Sequence, residues 1–303
     1  MPVANTTEAG LLLVDKLAGP TSHDVVAWAR RALGAKVGHT GTLDPFATGL
    51  LLLLVGSLTR LAELYHVHPK TYDATMRLGV TTDTDDATGR VVEESRAWRS
   101  LSPERIEAEL TSWRGSGVQR PSTFSAKQVR GRRAHETARA GGTPSLADVP
   151  ITIHEIALRS IEGRDVRFRA SVSTGTYIRA LARDIGAALG CGAHLTRLRR
   201  TAIGPFEVTD AIRSDEIGSA VPAEGRGFRF GVAAIPWLAR RDLDAEELDA
   251  ILHGRPIDGG EALAVTEGAG STTEPIALTR GRRVVAIAER EGDRLRPRKV
   301  FPT

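Results

Sequence analysis

Apolar residues fall along this chain in three rhythms, and each rhythm predicts an element. The first is unbroken. Leu11–Val14 and Leu50–Val55 are short runs of consecutive apolar residues bounded by polar or glycine-rich turns. Such runs predict buried elements, the first a short strand. The second rhythm has a period of two. Tyr72, Ala74, Met76 and Leu78 alternate with polar residues inside 70–79, as apolar residues do in 151–158 and 166–172. Three strands are predicted, the first with one buried face. The third rhythm is helical. Val25, Val26, Trp28, Ala29 and Leu33 follow a Thr21 or Ser22 cap and stop at Gly34. Ile106, Leu110 and Trp113 follow Ser102-Pro103, an N-cap with proline at the first helical position, and stop at Gly115. Ile178, Leu181, Ile185 and Leu189 share one side of a third helix, and 57–65 reads as a fourth.

The pattern changes twice more. Residues 1–9 read as a disordered leader and 205–235 as a linker rich in Gly, Pro and charge. Beyond Pro236 come a short helix at 244–252, ending near Gly254, and short strands at 262–266, 275–279, 284–289 and 296–301. The expected division is a large domain over 1–235 and a small β-rich module over 236–303.

Composition narrows the class. The 303 residues are 41% apolar and 26% charged, with a net charge of +4. That suits a globular chain and is compatible with a polyanionic partner. The single Cys191 excludes an internal disulfide framework and any multi-cysteine metal site, and fits a cytoplasmic setting. No apolar run is long enough for a membrane span. The acidic stretch 83–89 tempts a calcium reading. Ala87 and Thr88 stand where that loop needs an oxygen ligand and a glycine. A hydrogen-bonded turn leading into a strand at 90–93 is expected instead. The segment 120–140 carries Arg120, Lys127, Arg130, Arg132, Arg133 and Arg139 against one acid, Glu136.

Candidate chemistry concentrates in residues 38–49, which read Gly-His-Thr-Gly-Thr-Leu-Asp-Pro-Phe-Ala-Thr-Gly. Pro45 fixes its own φ and biases Asp44 away from helical backbone. The glycines allow close approach of a ligand or another backbone. A second string, Gly175-Thr176-Tyr177-Ile178-Arg179, opens a predicted helix. An arginine in a first turn opposes the helix dipole and needs an anionic partner, for which Asp44 is the natural candidate.

The string at 38–49 resembles the signature loop of the TruB-type tRNA pseudouridine synthases. Lys70-Thr71-Tyr72, Gly175–Arg179 and Gly192–Arg200 continue the resemblance along most of the chain. Leu17 stands where the family places a proline, Gln128 where it places a lysine, and His135 where it places a tyrosine. The resemblance implies an α+β pseudouridine synthase fold: an extended, mostly antiparallel sheet flanked by helices with a central cleft, plus a small PUA-like C-terminal domain that binds RNA. It implies that Asp44 is the catalytic carboxylate and Arg179 its partner. Tyr72 stacks on the target base, Tyr177 and Leu198 wall the pocket, and His39 fills the gap left by the flipped base. It further implies that a basic insertion at about 120–150, with Lys127, Arg130, Arg132 and Arg133, clasps RNA. The arginines at 197, 199 and 200 either bind phosphate or are simply solvated, and Arg199 is a candidate RNA contact. The expected reaction is isomerisation of the T-loop uridine of tRNA (nucleotide 55 in standard tRNA numbering), by a monomer acting on the T arm with no cofactor and no metal. The competing expectation is a non-catalytic RNA-binding or tRNA-folding module on the same scaffold.

Overall fold

A computed structural model describes residues 9–122, 128–129, 132–133, 147–218, 227–260 and 275–301. Strand β1 (Gly10–Lys16) leads into helix α1 (Ser22–Leu33), then β2 (Val37–His39) and β3 (Thr48–Val55). Thr21 caps α1 reciprocally with Asp24, and Gly34 closes it in the left-handed conformation, as the cap residues predict. β1 and β3 pair antiparallel over their full lengths. Their apolar runs are unbroken because both faces are covered. Leu50, Leu52 and Leu54 face one cluster, while Leu51, Leu53 and Val55 face another built against α1.

The segment predicted as helical at 57–65 is a 3₁₀ turn, Gly56–Leu61, followed by α2 (Ala62–His66). Strand β4 (Lys70–Leu78) is followed by the hairpin β5 (Val80–Thr82) and β6 (Val91–Glu94), joined by the expected turn. Helix α3 (Pro103–Ser112) has Ser102 as N-cap and buries Ile106 and Leu110, with Trp113 at its C-cap. Strand β7 (Gly115–Gln119) follows. Two short paired strands, β8 (Gln128–Val129) and β9 (Arg132–Arg133), lie in the basic segment. Strands β10 (Val149–Glu162) and β11 (Asp165–Val172) pair antiparallel. Helix α4 (Ile178–Ala188) packs on β12 (Ala193–Ile203). The contact is close because position 186 has no side chain; a Cβ there would lie 2.3 Å from the Ala193 nitrogen.

Apart from the separate pairs β5-β6 and β8-β9, these strands form one sheet in the order β14-β1-β3-β12-β4-β11-β10-β7, with β2 beside β3 and β14 being Ile212–Arg213. Pairing is antiparallel except for β1 with β14 and β12 with β3. The two halves of the sheet meet only briefly, at Thr48 and Gly49 of β3 opposite Arg199 and Arg200 of β12. Gly49 sits at φ +102°, and a Cβ there would lie 2.2 Å from the Arg200 carbonyl oxygen. That close join leaves a cleft beside it.

The linker reading of 205–235 fails for the described part. β13 (Phe206–Glu207), β14 and β15 (Phe228–Phe230) all belong to the large sheet, and Phe206, Ile212 and Phe228 are buried. Their runs are two or three residues long, too short to show a period. Downstream, β16 (Arg240–Asp242), α5 (Ala245–Leu252), β17 (Ile257–Asp258), β18 (Ile276–Arg280), β19 (Arg283–Glu291) and β20 (Arg294–Val300) follow. They build a five-stranded sheet in the order β16-β18-β19-β20-β17. The strand expected at 262–266 lies outside the described residues, as does the leader except for Ala9.

Candidate active site

Asp44 lies in the loop between β2 and β3, on a turn closed by the Ala47 amide donating to the Asp44 carbonyl at 3.1 Å. Buried cations hold this loop through its carbonyls. Lys16 Nζ donates to Ala47 O at 2.7 Å and Pro45 O at 3.2 Å. Arg200 donates from Nε to Leu50 O at 2.7 Å and from Nη2 to Gly41 O at 3.1 Å. Ser22 Oγ accepts from the Leu43 amide at 2.9 Å and donates to the Leu43 carbonyl at 3.0 Å, tying the loop to the start of α1. Burial pulls the Lys16 ammonium down to about 8, against the upward pull of Asp44.

Arg179 is the second residue of α4. Its Nε donates to Asp44 Oδ2 at 2.9 Å and its Nη2 to Oδ1 at 3.3 Å, the forked pairing expected for a guanidinium and a carboxylate. The Arg179 side chain is 5% exposed and Asp44 36%, so the carboxylate is held from behind and open in front. The third arm of the fork is also occupied. Nη1 donates to Thr84 O at 2.9 Å and lies 3.4 Å from Asp86 Oδ2.

Asp86 is a residue that sequence reasoning missed. It is 5% exposed on its side chain and fixed by Thr84 Oγ1 at 2.8 Å, Thr88 N at 2.9 Å and Thr88 Oγ1 at 2.5 Å, all on Oδ1. The 83–89 turn thus pairs with the Arg179 guanidinium. One helical turn on, Arg183 Nη1 donates to Asp85 Oδ2 at 3.1 Å. The sequence offered only a partial signal, acids at a rejected metal loop and arginines one turn apart at the start of a helix; nothing local joins the two.

The carboxylate faces a cavity of about 370 Å³ that also receives His39, Tyr72, Tyr177 and Leu198. The structure thus gathers Asp44, Arg179 and these four residues from four separated segments. Tyr72 and Leu198 are nearly buried, on adjacent strands. Tyr177 is the N-cap of α4, and its backbone is clamped by Gln119 Oε1 and Nε2 at 2.8 and 3.2 Å. His39 packs edge-on against His23 at 5.4 Å, and burial holds its imidazole down at about 4. Its Nδ1 and the Thr40 hydroxyl are buried and have no hydrogen-bond partner among the described residues.

Two cationic residues of the cavity, Arg200 and Lys70, were read from the sequence as parts of motifs but not assigned to the site. Lys70 Nζ donates to Thr174 Oγ1 at 2.7 Å, and burial followed by the charge of Arg200 draws it down to about 8. Arg199, a candidate RNA contact, is on the other face of β12. Its fork is taken up by Asp15, at 2.9 and 2.7 Å. Lys127 and Arg130, and the side chains of Arg132 and Arg133, lie outside the described residues. Among those described, no cluster of three His, Cys, Asp or Glu residues has metal-binding geometry.

The architecture is that of the pseudouridine synthases. It superposes on the crystal structure of a Cbf5-Nop10-Gar1 complex with a TM-score of 0.73 and 26% identity, over 100% of this chain and 88% of that one. An H/ACA RNP bound to a substrate RNA containing 2′-deoxyuridine matches with a TM-score of 0.71 and 26% identity, over 97% and 85%. Residues 30–178 match the TruB family pseudouridylate synthase N-terminal domain, and 179–226 match the tRNA pseudouridylate synthase B C-terminal domain. The tRNA pseudouridine synthase B of Rhodococcus jostii is 43% identical over 94% of this chain and 95% of its own length. That of Mycobacterium tuberculosis is 41% identical over 91% and 97%. The chain belongs to the TruB family of pseudouridylate synthases.

Proposed function

We propose that this enzyme isomerises the T-loop uridine of tRNA, nucleotide 55 in standard tRNA numbering, to pseudouridine. The observation that carries the reading is the forked Asp44–Arg179 pair, buried behind and open toward a cavity walled by Tyr72 and Leu198.

The reaction breaks the N1–C1′ bond, forms a C5–C1′ bond, removes the C5 proton and returns a proton to N1. Atoms balance with no electron transfer and no net addition of water. Asp44 supplies the carboxylate that takes part in cleaving the glycosidic bond, with its oxygens aimed by Arg179. Tyr72 stacks on the detached uracil, and its phenol accepts or relays the C5 proton. Leu198 and Tyr177 hold the base so that it turns within the site and recombines. The target base must leave its stack, at a cost of about a few kcal/mol. His39 is held neutral at the rim, placed to fill the gap left behind.

On the same reading the enzyme works as a cytoplasmic monomer on the T arm, and residues 236–303 form a PUA-like module that grips RNA. The basic segment at about 120–150, with Lys127, Arg130, Arg132 and Arg133, contributes RNA contacts. Among the described residues no helix is long and apolar enough to cross a membrane. Incubating the purified protein with an unmodified tRNA transcript and mapping pseudouridine chemically tests the assignment. A single new pseudouridine in the T loop is expected; a transcript left unmodified, or modified elsewhere, overturns it.

A further inference from the structure

Strand β12 presents different side chains to its two faces. Leu198 and Arg200 line the catalytic cavity, so the two-residue period sends Arg197 and Arg199 to the other side. The pairing registers place further residues beside them. Arg199, Asp73 and Arg169 form one row across β12, β4 and β11, and Arg197, Thr75 and Arg167 form the next. Arg159 enters at the β10 bulge between Leu158 and Ser160. This face holds a cavity of about 590 Å³ that shares only the Leu198 wall with the catalytic one.

The face is lined by five guanidinium groups and a single carboxylate, Asp73. Arg199 is paired with Asp15, and Arg167 lies 3.6 Å from Glu162. No ion pair among the described residues engages Arg159, Arg169 or Arg197. Like charges side by side on a sheet repel one another, and a polyanion relieves that. The forks are carried by three strands, β10, β11 and β12, in rows about 7 Å apart along each strand. A chain of phosphates fits such rows better than one compact ion does. Planar guanidinium forks are also the side chains suited to bidentate phosphate contact.

We propose that this face is a second RNA-binding site, which holds the phosphodiester backbone of a segment lying outside the catalytic cavity. The inference rests on the reading of the enzyme as one that acts on RNA. It gives the protein two RNA contacts on opposite faces of one sheet, with β12 between them.

The test uses a labelled oligoadenylate 20-mer, which contains no uridine, and the full-length enzyme with excess unlabelled T-arm hairpin in the catalytic cleft. The 20-mer is expected to bind with the hairpin present. The triple variant Arg159→Gln/Arg167→Gln/Arg169→Gln should weaken it about tenfold or more, and lower the log–log salt slope by about two, as three lost single-strand phosphate contacts require. Asp73→Asn should tighten it. Both variants should convert the hairpin at the parental rate, which shows that they fold. Unchanged affinity and slope in the triple variant overturn the proposal, as does displacement of the 20-mer by the hairpin. Displacement by tripolyphosphate at matched charge also overturns it, in favour of a compact-anion site. Failure of the parental enzyme to form pseudouridine in the hairpin counts against the proposed function instead, and is read separately from binding.

Discussion

At the scale of single residues, the site is a carboxylate held from behind. Arg179 occupies both Asp44 oxygens and leaves the open side of the carboxylate toward the cavity. Asp44→Asn keeps size and most contacts but removes the carboxylate. Turnover of tRNA should fall to background while affinity stays within about twofold; single-turnover assays of the purified variant check the first and filter binding the second. Arg179→Lys keeps the charge and loses the fork, so most of the rate should be lost with tRNA still bound. Arg179→Met should be slower again, since it leaves both Asp44 and Asp86 without their cation; equal rates for the Met variant and the parent would refute the role of the pair. Lys70 gives a pH signature. Its pKa is lowered in the folded protein, to about 8 from an ordinary 10.5. The folded state therefore holds this proton less tightly than the unfolded chain. Carrying the charge costs stability below pH 8, and that cost fades as pH rises from 8 toward 10.5. Lys70→Met never carries the cost. The urea midpoint of the parent should thus gain on that of the variant between pH 7.5 and 9.5, and a constant gap would show that Lys70 titrates normally.

At the scale of elements, the turn between β5 and β6 acts as a backing plate for α4. It meets Arg179 through Asp86 and Arg183 through Asp85, and its backbone is bonded to Leu195 of β12 in both directions. Thr88→Val removes the 2.5 Å hydroxyl contact that fixes Asp86. It should slow the chemical step several-fold with little change in tRNA affinity, because it loosens Arg179 without touching the cavity wall. A change in affinity alone would place Thr88 outside this chain of contacts. The same elements show what the sequence made legible. Capped helices and alternating strands could be read because their signals are local: the Thr21 and Ser102 caps, and the period of Tyr72 to Leu78. The Asp44–Arg179 pair was legible because an arginine in a first helical turn calls for an anion. Asp86 was not, because its role arises only when the fold brings the 83–89 turn to the start of α4. Lys16, Lys70 and Arg200 were hidden for a related reason. Their motifs were legible, but it is burial by distant segments that makes them supports of the loop and cavity. The strands of 205–235 were missed because two-residue ladders leave no period to read.

At the scale of the whole molecule, the boundary drawn near Pro236 from the change of pattern is not a boundary of packing. Leu238, Ala277, Ile287 and Phe301 share a cluster with Leu11, Leu50, Leu52, Leu54 and Tyr65 of the large sheet. The Tyr65 hydroxyl donates to Ala234 O at 2.7 Å, and Trp237 packs edge-on against its ring at 5.0 Å. The last strand is latched as well. Arg60 lies over the Phe301 ring and donates to Val300 O at 2.8 Å, while Lys299 reaches back to Arg60 O at 2.8 Å and to Glu63. Deleting 236–303 would bare one face of β1 and β3, so the truncated chain should lose solubility before any weakened grip on RNA could be measured. A gentler probe separates the two effects. Phe301→Ala opens a cavity in the shared cluster and should cost about 3 kcal/mol, lowering Tm by about 6 °C or more. No residue of this cluster lines the Asp44 cavity, whose walls pack instead with β4, β11 and α4. The single-turnover rate on tRNA at 25 °C should therefore stay within about twofold of the parent. An unchanged Tm would show that the module sits loosely on the large sheet. A large loss of rate with the fold intact would show that the two clusters are coupled through β3, whose Leu50 carbonyl accepts from Arg200 beneath the Asp44 loop.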